Sequence, residues 1–429
     1  MSRNTDIQGA ATDFEERFDQ KLVAIRRALH ADPELSREEF RTTEKIRAWL
    51  AEADVRIADF PLATGLVAEV GGLREGPVVA LRADIDALPV REETGLPFAS
   101  RHDGKMHACG HDFHTAALMG AAYRLKARER ELPGTVRLIF QPAEENAQGA
   151  GLVLASGALH GVEAIFGLHN KPDLPVGQIG IKAGPLMAAA DGFIVELEGV
   201  GSHAAVPEAS VDPIVAAAQL VTALQTIVSR NIGPLQSAVV SVTRLHAGSS
   251  WNVIPEKAVL DGTLRSFDPG VRRLVRERFE QVARGVAAAL GVTVRIRWIE
   301  GPPAVVNDAY WAEAAVAAAV RAGLDVVEPV PSPAGEDFAF YQREAPGVFA
   351  FIGTSGPHEW HHPAFDVDER ALPYAANYLA HAAEEALRRL TAEAGGDEPR
   401  HTAARTGGDT PRRPAGADEP ADGERRERA

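Results

Sequence analysis

One short segment of the chain gathers side chains that can bind a metal ion or act as nucleophiles. The segment KMHACGHDFH, residues 105–114, contains Cys109, the only cysteine among 429 residues, together with His107, His111 and His114. Thiolate and imidazole groups are common ligands of first-row divalent ions, and a thiol beside an imidazole can also attack a carbonyl. A lone cysteine is more often a small buried apolar side chain, so the segment alone leaves three interpretations open.

Further carboxylates and imidazoles follow short apolar segments elsewhere in the chain. They are Asp84 and Asp86 in PVVALRADID, Glu144 and Glu145 in GTVRLIFQPAEE, His169 in EAIFGLHN, and His361 and His362 in EWHHPAFD. Each signal is weak alone, because strand-end histidines and paired glutamates are usually solvated. Together with the thiol, however, these groups form the usual ligand set of a divalent transition metal.

The spacing of apolar residues predicts that a parallel sheet positions these groups. Segments 77–86, 134–145 and 163–170 are predicted strands, and segment 111–129 is a predicted Ala-rich helix. Alternating apolar strands and helices are typical of an α/β fold, a parallel sheet covered by helices. Ligand sites in such sheets lie beyond the carboxyl ends of the strands, so we expect the candidate side chains to converge there.

Between residues 190 and 299 the predicted order changes to strand, helix, strand, strand, helix, strand. That order is typical of a ferredoxin-like α+β unit, here inserted into the first domain. We therefore predict a catalytic domain built from residues 1–189 and 300–392, interrupted by an inserted domain of residues 190–299. Residues 393–429 contain no Val, Ile, Leu or Phe and are predicted to form a disordered tail.

Composition limits the classes of partner. The net charge of -15 argues against broad nucleic-acid binding, which requires a basic face. No apolar run is long enough to span a bilayer, and the N-terminal segment lacks the apolar core of a secretory signal. A single cysteine excludes an internal disulfide framework, so we expect a cytoplasmic protein with no membrane partner.

Nine motifs occur in one order between about Arg26 and Glu369. They are RADIDALP, MHACGHDFHTA, QPAEE, GLHN, GSHAAVP, NVIP, GTLRSF, GEDFAFY and HHPAFDVDE. The series resembles that of the dimetal aminoacylase and carboxypeptidase superfamily of metallopeptidases. It is most similar to the amidohydrolase branch, which includes hippurate hydrolase, indoleacetyl-amino-acid hydrolase and N-acetyl-diaminopimelate deacetylase.

The resemblance implies a fold, a cofactor and an activity. The fold is the mostly parallel, zinc-peptidase-like sheet flanked by helices, with an inserted lid or dimerisation domain. The cofactor is a pair of divalent metal ions in each subunit, with Zn, Mn, Co and Ni all compatible with a thiolate ligand. The activity is hydrolysis of N-acyl amino acids, such as N-acetyl or N-benzoyl conjugates, to a carboxylic acid and a free amino acid.

By the same resemblance, Cys109 bridges two metal ions, and four further ligands complete the set: His111, Glu145, His169 and His361. His361 is preferred over His362 because the family pattern places its histidine two residues before the proline. Glu144 is implied as the general base, which takes a proton from the attacking water and later delivers it to the leaving amine. Asp84 and Asp86 are implied to support the ligands without binding metal, and His107 and His114 are interpreted as supporting or simply packed.

The insert is implied to complete the site. His203 of GSHAAVP is implied to enter the active site of a neighbouring subunit in a homodimer and to donate a hydrogen bond to the developing oxyanion. Asn252 of NVIP and Arg265 of GTLRSF resemble residues that receive the carboxylate of the substrate, for which the planar guanidinium is suited.

Three alternatives remain open at this point. A metal-dependent dipeptidase or carboxypeptidase of the same superfamily would use the same ligands. A thiol amidase with Cys109 as nucleophile would leave the glutamate pair and His361 without a role. A binding module without turnover is disfavoured, because it has no need of a general base such as Glu144.

Overall fold

The computed structural model describes residues 2–396 of the chain. Residues 397–429, most of the predicted tail, lie outside the described residues. The described part contains nine α-helices: α1 (Ser2–His30), α2 (Phe40–Glu52), α3 (His111–Ala127), α4 (Gly149–Ala155), α5 (Pro213–Asn231), α6 (Pro269–Leu290), α7 (Ala309–Arg321), α8 (Phe338–Tyr341) and α9 (Leu372–Gly395). It also contains three 3-10 helices: Glu129–Glu131, Pro207–Ala209 and Glu369–Ala371.

Sixteen strands occur in residues 2–396. They are β1 (Arg56–Ala58), β2 (Leu66–Gly71), β3 (Val78–Asp84), β4 (Thr135–Gln141), β5 (Val162–Lys171), β6 (Gln178–Gly180), β7 (Gly184–Met187), β8 (Ala189–Glu198), β9 (Ser202–His203), β10 (Ala238–Ala247), β11 (Val253–Ile254), β12 (Lys257–Ser266), β13 (Thr293–Ile299), β14 (Val305–Asn307), β15 (Asp325–Val327) and β16 (Gly347–Gly353). None of the helices in the described range combines the length and apolar composition needed to cross a membrane.

The larger sheet has eight strands in the order β1-β2-β4-β3-β5-β16-β6-β15. Its centre, β4-β3-β5-β16, is parallel, whereas β1, β2 and the contact between β16 and β6 are antiparallel. Successive residues of β3 enter different cores: Val79 and Leu81 pack on one face of the sheet and Ala80 on the other. Burial on both faces explains why the central strands read as continuous apolar runs. The predicted α/β fold is confirmed.

Helices α3 and α9 pack closely against each other on one face of this sheet. Small residues make the approach possible: a Cβ added at Gly120 of α3 would lie 2.6 Å from the Cβ of Ala376 in α9. Helix α9 continues to Gly395, past the predicted boundary at residue 392. Its last turn is tied down because the Tyr310 hydroxyl donates a hydrogen bond to Glu393 over 2.6 Å.

The second sheet has four antiparallel strands in the order β10-β12-β8-β13, with α5 and α6 packed against it. The chain order β8-α5-β10-β12-α6-β13 is the predicted ferredoxin-like order. Residues of β8 alternate between buried and half-buried positions, as expected for a sheet with one face on its helices. The domain boundaries themselves stay a prediction, although the core of this unit draws its residues from positions 193–298.

Candidate metal centre

The carboxyl ends of the central strands carry the candidate ligands. Strand β3 ends at Asp84, and β5 carries His169 two residues before its end. Strand β4 ends earlier than predicted, at Gln141, so that Glu144 and Glu145 lie in the following loop. That loop turns at Ala143, which has a φ of 56°, and the turn brings the glutamate pair to the predicted edge of the sheet.

Helix α3 begins at the same edge. Gly110 precedes it with a left-handed φ of 85°, and a Cβ at this position would lie 2.3 Å from Nδ2 of Asn170. Glycine is therefore required both by the backbone conformation and by the close approach. The turn places Cys109 just before the helix N-terminus, where the positive end of the helix dipole favours a thiolate.

The five predicted ligands come together in the folded chain. Sγ of Cys109 lies 3.5 Å from Nε2 of His169. Glu145 approaches two imidazoles, with its oxygens 3.8 Å from Nε2 of His111 and 3.5 Å from Nε2 of His361. Within residues 2–396, mutually close donor groups include Cys109 with His111 and His169, Cys109 with Glu145 and His361, and His111 with Glu144 and Glu145.

Two atoms in this cluster indicate that it fits a cation. Nε2 of His111 and Oε1 of Glu145 are buried and have no hydrogen-bond partner among the described residues. Buried polar atoms without a partner cost free energy, so native proteins rarely keep them. A divalent ion held by a thiolate, imidazoles and a carboxylate would satisfy both atoms.

Electrostatics in the cluster couple metal binding to proton release. Burial raises the pKa of the Cys109 thiol, and the Glu145 carboxylate raises it further. Burial also raises the pKa of Glu145, to about 7, whereas it lowers the pKa of His169 and of His361. The imidazoles of His169 and His361 are therefore available as neutral ligands. Cys109 and Glu145 must each lose a proton to bind a cation. So must His111, whose pKa, against the effect of burial, is raised by Asp84 and Asp86.

Asp86 accepts hydrogen bonds from His111 and from the backbone of the glutamate pair. Its backbone oxygen and side chain accept hydrogen bonds from Nδ1 of His111 at 2.9 and 3.2 Å. Its two carboxylate oxygens also accept the backbone N–H groups of Glu144 and Glu145, each at 3.1 Å. One buried carboxylate thus orients the imidazole of a candidate ligand, His111, and the glutamate pair together.

Asp84 makes shorter contacts with His114 and Arg82 than with the candidate ligand His111. Its Oδ1 lies 2.6 Å from Nδ1 of His114, and its Oδ2 accepts a 2.7 Å hydrogen bond from Arg82. The same Oδ2 is 3.7 Å from Nε2 of His111, and Asp84, His111 and His114 form another compact donor group. The guanidinium of Arg82 occupies one face of Asp84 and favours a supporting position over a ligand position.

Asn170 connects several of these groups and was not singled out from the sequence. Its backbone N–H donates to Nε2 of His114 over 2.9 Å, and its side-chain amide donates to the backbone oxygen of Cys109 over 2.6 Å. The indole N–H of Trp360, next to His361, donates to the backbone oxygen of Asn170 over 3.1 Å. The signal for Asn170 in the sequence was its position directly after His169 in the motif GLHN.

His107 and His361 occupy contrasting environments. His107 is buried, neither ring nitrogen has a hydrogen-bond partner in the described residues, and burial lowers its pKa to about 4. It is therefore a neutral, packed imidazole. The side chain of His361 is 55% exposed and its backbone has a left-handed φ of 66°, which places it at the solvent side of the cluster.

The three predicted residues of the insert do not join the cluster within one chain. His203 is exposed, and its Nδ1 accepts the N–H of Ala205 over 3.0 Å. The side chain of Asn252 accepts a hydrogen bond from Ser250, and Arg265 donates to the backbone oxygen of Pro333 over 3.1 Å. In residues 2–396 no hydrogen bond joins these three side chains to Glu144 or to the candidate ligands.

A family model identifies the chain. The model described as Peptidase family M20/M25/M40 matches residues 80–385. The chain belongs to this family. The family assignment made from the motif series is thereby confirmed.

Individual relatives cover most of the chain. An N-acetylcysteine deacetylase of Bacillus subtilis is 54% identical over 367 residues, covering 85% of this chain and 97% of that protein. An IAA-amino acid hydrolase of Arabidopsis thaliana, ILR1-like 4, is 40% identical over 386 residues, covering 86% and 87%. A solved structure similar to this chain is that of the Bacillus subtilis YXEP protein, described as a dinuclear metal binding peptidase. The two superpose with a TM-score of 0.79 and 50% sequence identity. The match covers 87% of this chain and 99% of that chain.

Replacing Cys109 by serine should weaken metal binding without preventing folding. The smaller, harder hydroxyl is a poorer ligand than a thiolate for Zn, Mn, Co or Ni, so metal content after dialysis should fall and activity should return partly at high metal concentration. In the unchanged protein, peroxide should oxidise the Cys109 thiol and bound ions should protect it. The variant lacks this thiol and should not show that sensitivity to peroxide. If the variant keeps its full metal content when only trace metal is present in solution, Cys109 is not a metal ligand.

Proposed function

We propose that the protein is a metal-dependent amidohydrolase that cleaves N-acyl amino acids to a carboxylic acid and a free amino acid. The observation that carries the proposal is the convergence of one thiol, three imidazoles and two carboxylates at the carboxyl edge of the parallel sheet, with Cys109, His111 and His169 buried and His361 at the solvent side. Relatives named for deacetylation of N-acetylcysteine and for hydrolysis of IAA-amino acids support the choice of substrate class.

In this proposal two divalent ions are held by Cys109, His111, Glu145, His169 and His361. When bound, the ions lower the pKa of water and polarise the amide carbonyl. The spare carboxylate beside the ligands, Glu144, performs the proton transfers. Its neighbour Glu145 faces the imidazoles of His111 and His361, so adjacent residues divide metal binding from proton transfer.

The surroundings of Glu144 suit a group that both accepts and returns a proton. Burial raises its pKa, and the nearby carboxylates of Glu336 and Asp337 raise it further. Its Oε1 accepts the backbone N–H of Asp337 over 3.4 Å, which limits its rotation. Glu144 takes the proton of the attacking water and then delivers it to the nitrogen of the leaving amine, which departs neutral.

We further propose that the active protein is a homodimer. β10 is an edge strand of the four-stranded sheet in the described residues, and it offers unpaired backbone groups to a second copy. Apolar side chains of β10 and α5 beside this edge, Val239, Leu245, Ile214 and Val215, are each between 42% and 48% exposed. Burying such groups against a second copy would stabilise the dimer.

The proposed dimer gives the residues of the insert their roles. His203 of one subunit would donate a hydrogen bond to the oxyanion at the partner's site, and Asn252 and Arg265 would bind the substrate carboxylate. His203 and Asn252 are held together, since β9 pairs with β11 and the N–H of Ala204 donates to the backbone oxygen of Asn252 over 3.0 Å. Because a thiol ligand is easily oxidised, we place this dimer in the reducing cytoplasm.

A substrate panel tests the activity. The protein should release acid from N-acetyl, N-benzoyl and indoleacetyl amino acids at least about ten times faster than it releases C-terminal residues from oligopeptides. Acid and amine release should be measured with each of Zn, Mn, Co and Ni added to metal-free protein. The variant Glu144→Gln, purified in parallel, controls for contaminating hydrolases. Faster cleavage of oligopeptides would favour the carboxypeptidase alternative, and absence of acid release with every ion would reject the proposal.

A further inference from the structure

One fully buried arginine contacts both Asp84 and the acidic residues next to Glu144. Arg82 of β3 donates a hydrogen bond from Nη1 to Asp84 over 2.7 Å and another from Nη2 to Asp337 over 2.8 Å. Its Nη2 is also 3.0 Å from Oε1 of Glu336, and its Nε donates to Gln141 over 2.8 Å. A single planar guanidinium therefore contacts three carboxylates, that of its near neighbour Asp84 and those of the adjacent pair Glu336 and Asp337 far along the chain.

Asp337 is the residue through which Arg82 reaches the base. The side chain of Asp337 accepts hydrogen bonds from Arg82, from Nε2 of Gln141 over 2.8 Å and from the N–H of Ala150 over 2.9 Å. The backbone N–H of Asp337, in turn, donates to Glu144. Fixing the side chain of Asp337 at three points also fixes the amide that holds Glu144.

The carboxylates next to Glu144 would repel one another without the positive charge of Arg82. Oxygens of Glu144, Glu336 and Asp337 lie within 4.8 Å of one another. Like charges at such distances repel strongly in a buried site. The guanidinium of Arg82 contacts Glu336 and Asp337 directly and compensates their charge, so that both can remain next to Glu144.

We propose that Arg82 is a positioning residue for the general base: it clamps Glu336 and Asp337 so that the Asp337 amide holds Glu144 in place. The proposal rests on the amidohydrolase function proposed above, and it assigns a role to the buried arginine of RADIDALP and the acidic pair of GEDFAFY. Arg82 acts through Asp337 and touches neither substrate nor metal ligand.

The substitution Arg82→Lys tests the clamp. Lysine keeps the positive charge but has three N–H donors on one nitrogen in place of the planar fork, so it cannot reproduce all four contacts of Arg82, to Asp84, Glu336, Asp337 and Gln141. We expect kcat to fall about 10- to 100-fold, because small displacements of a catalytic group cost this much, with KM within about threefold and metal content unchanged. The matched control is Arg137→Lys: Arg137 of β4 makes a similar contact with the carboxylate of Glu69 on β2, and this substitution should leave kcat within about twofold.

A second measurement makes the result independent of activity. Crystal structures of both variants should show the contact between the Asp337 amide and Glu144 lost in Arg82→Lys and retained in Arg137→Lys. Retention of that contact in Arg82→Lys would overturn the positioning role, as would an unchanged kcat or a loss of kcat that only follows metal loss. If the protein without substitutions is inactive, the amidohydrolase function is rejected. The crystal structures would still decide whether Arg82 positions Glu144.

Discussion

Glu144→Gln should retain its metal ions and bind substrate, yet turn over about 10² to 10⁴ times more slowly than the unchanged protein. Glutamine has nearly the shape of glutamate but cannot accept the proton of the attacking water. The contacts of Glu145 with His111 and His361, three of the candidate ligands, do not involve Glu144 and should persist. Steady-state kinetics on an N-acetyl amino acid and elemental analysis of the purified variant measure the two effects separately.

The neighbouring substitution Glu145→Gln is the matched control. It makes the same chemical change one residue along the chain, but it removes a candidate ligand, so metal content should fall and activity should return in part with excess metal. Equal metal loss in both variants would reject the division of roles between the two glutamates. Retention of kcat in Glu144→Gln would exclude Glu144 as the base.

Mixing two inactive homodimers, Glu144→Ala and His203→Ala, should restore about a quarter of the activity of the unchanged protein. In a heterodimer, one site combines Glu144 of one chain with His203 of the other, and the second site lacks both. Random exchange of equal amounts gives about one half heterodimers, each with one of its two sites complete. The exposed position of His203, outside the cluster of its own chain, motivates this expectation.

Native mass spectrometry must establish subunit exchange before activity is measured. The matched control is His160→Ala, which removes another exposed histidine of the chain and should leave the homodimer active. A mixture that exchanges subunits but stays inactive would show that His203 does not complete a neighbouring site. A His203→Ala homodimer with full activity would exclude His203 from the reaction altogether.

The position of the candidate ligands could be predicted because it follows from local patterns. Apolar runs identify β3, β4 and β5, and parallel strands bring their carboxyl ends to one edge. The loop after β4 was predicted less well, since strand patterning does not show that the chain leaves the sheet at Gln141 and turns at Ala143.

The contacts that hold the candidate ligands in place could not be predicted in the same way. Arg82 and Asp337 are 255 residues apart, and nothing in either local sequence shows that they meet. Asn170 likewise connects Cys109 and His114 through contacts across the fold. Periodicity indicates which face of a strand is buried but not which buried polar groups pair, and the proposed role of His203 in a neighbouring subunit cannot be read from the fold of one chain.

Removal and return of metal is the most direct test of metal-dependent hydrolysis. Protein stripped by a chelator should release acetate from an N-acetyl amino acid at least about 100 times more slowly, and activity should return as about two ions of Zn, Mn, Co or Ni are added per subunit. Cys109→Ser, titrated in parallel, should need a higher concentration of the same ion. Unchanged hydrolysis by protein that elemental analysis shows to be metal-free would contradict the metal mechanism and favour Cys109 as a nucleophile.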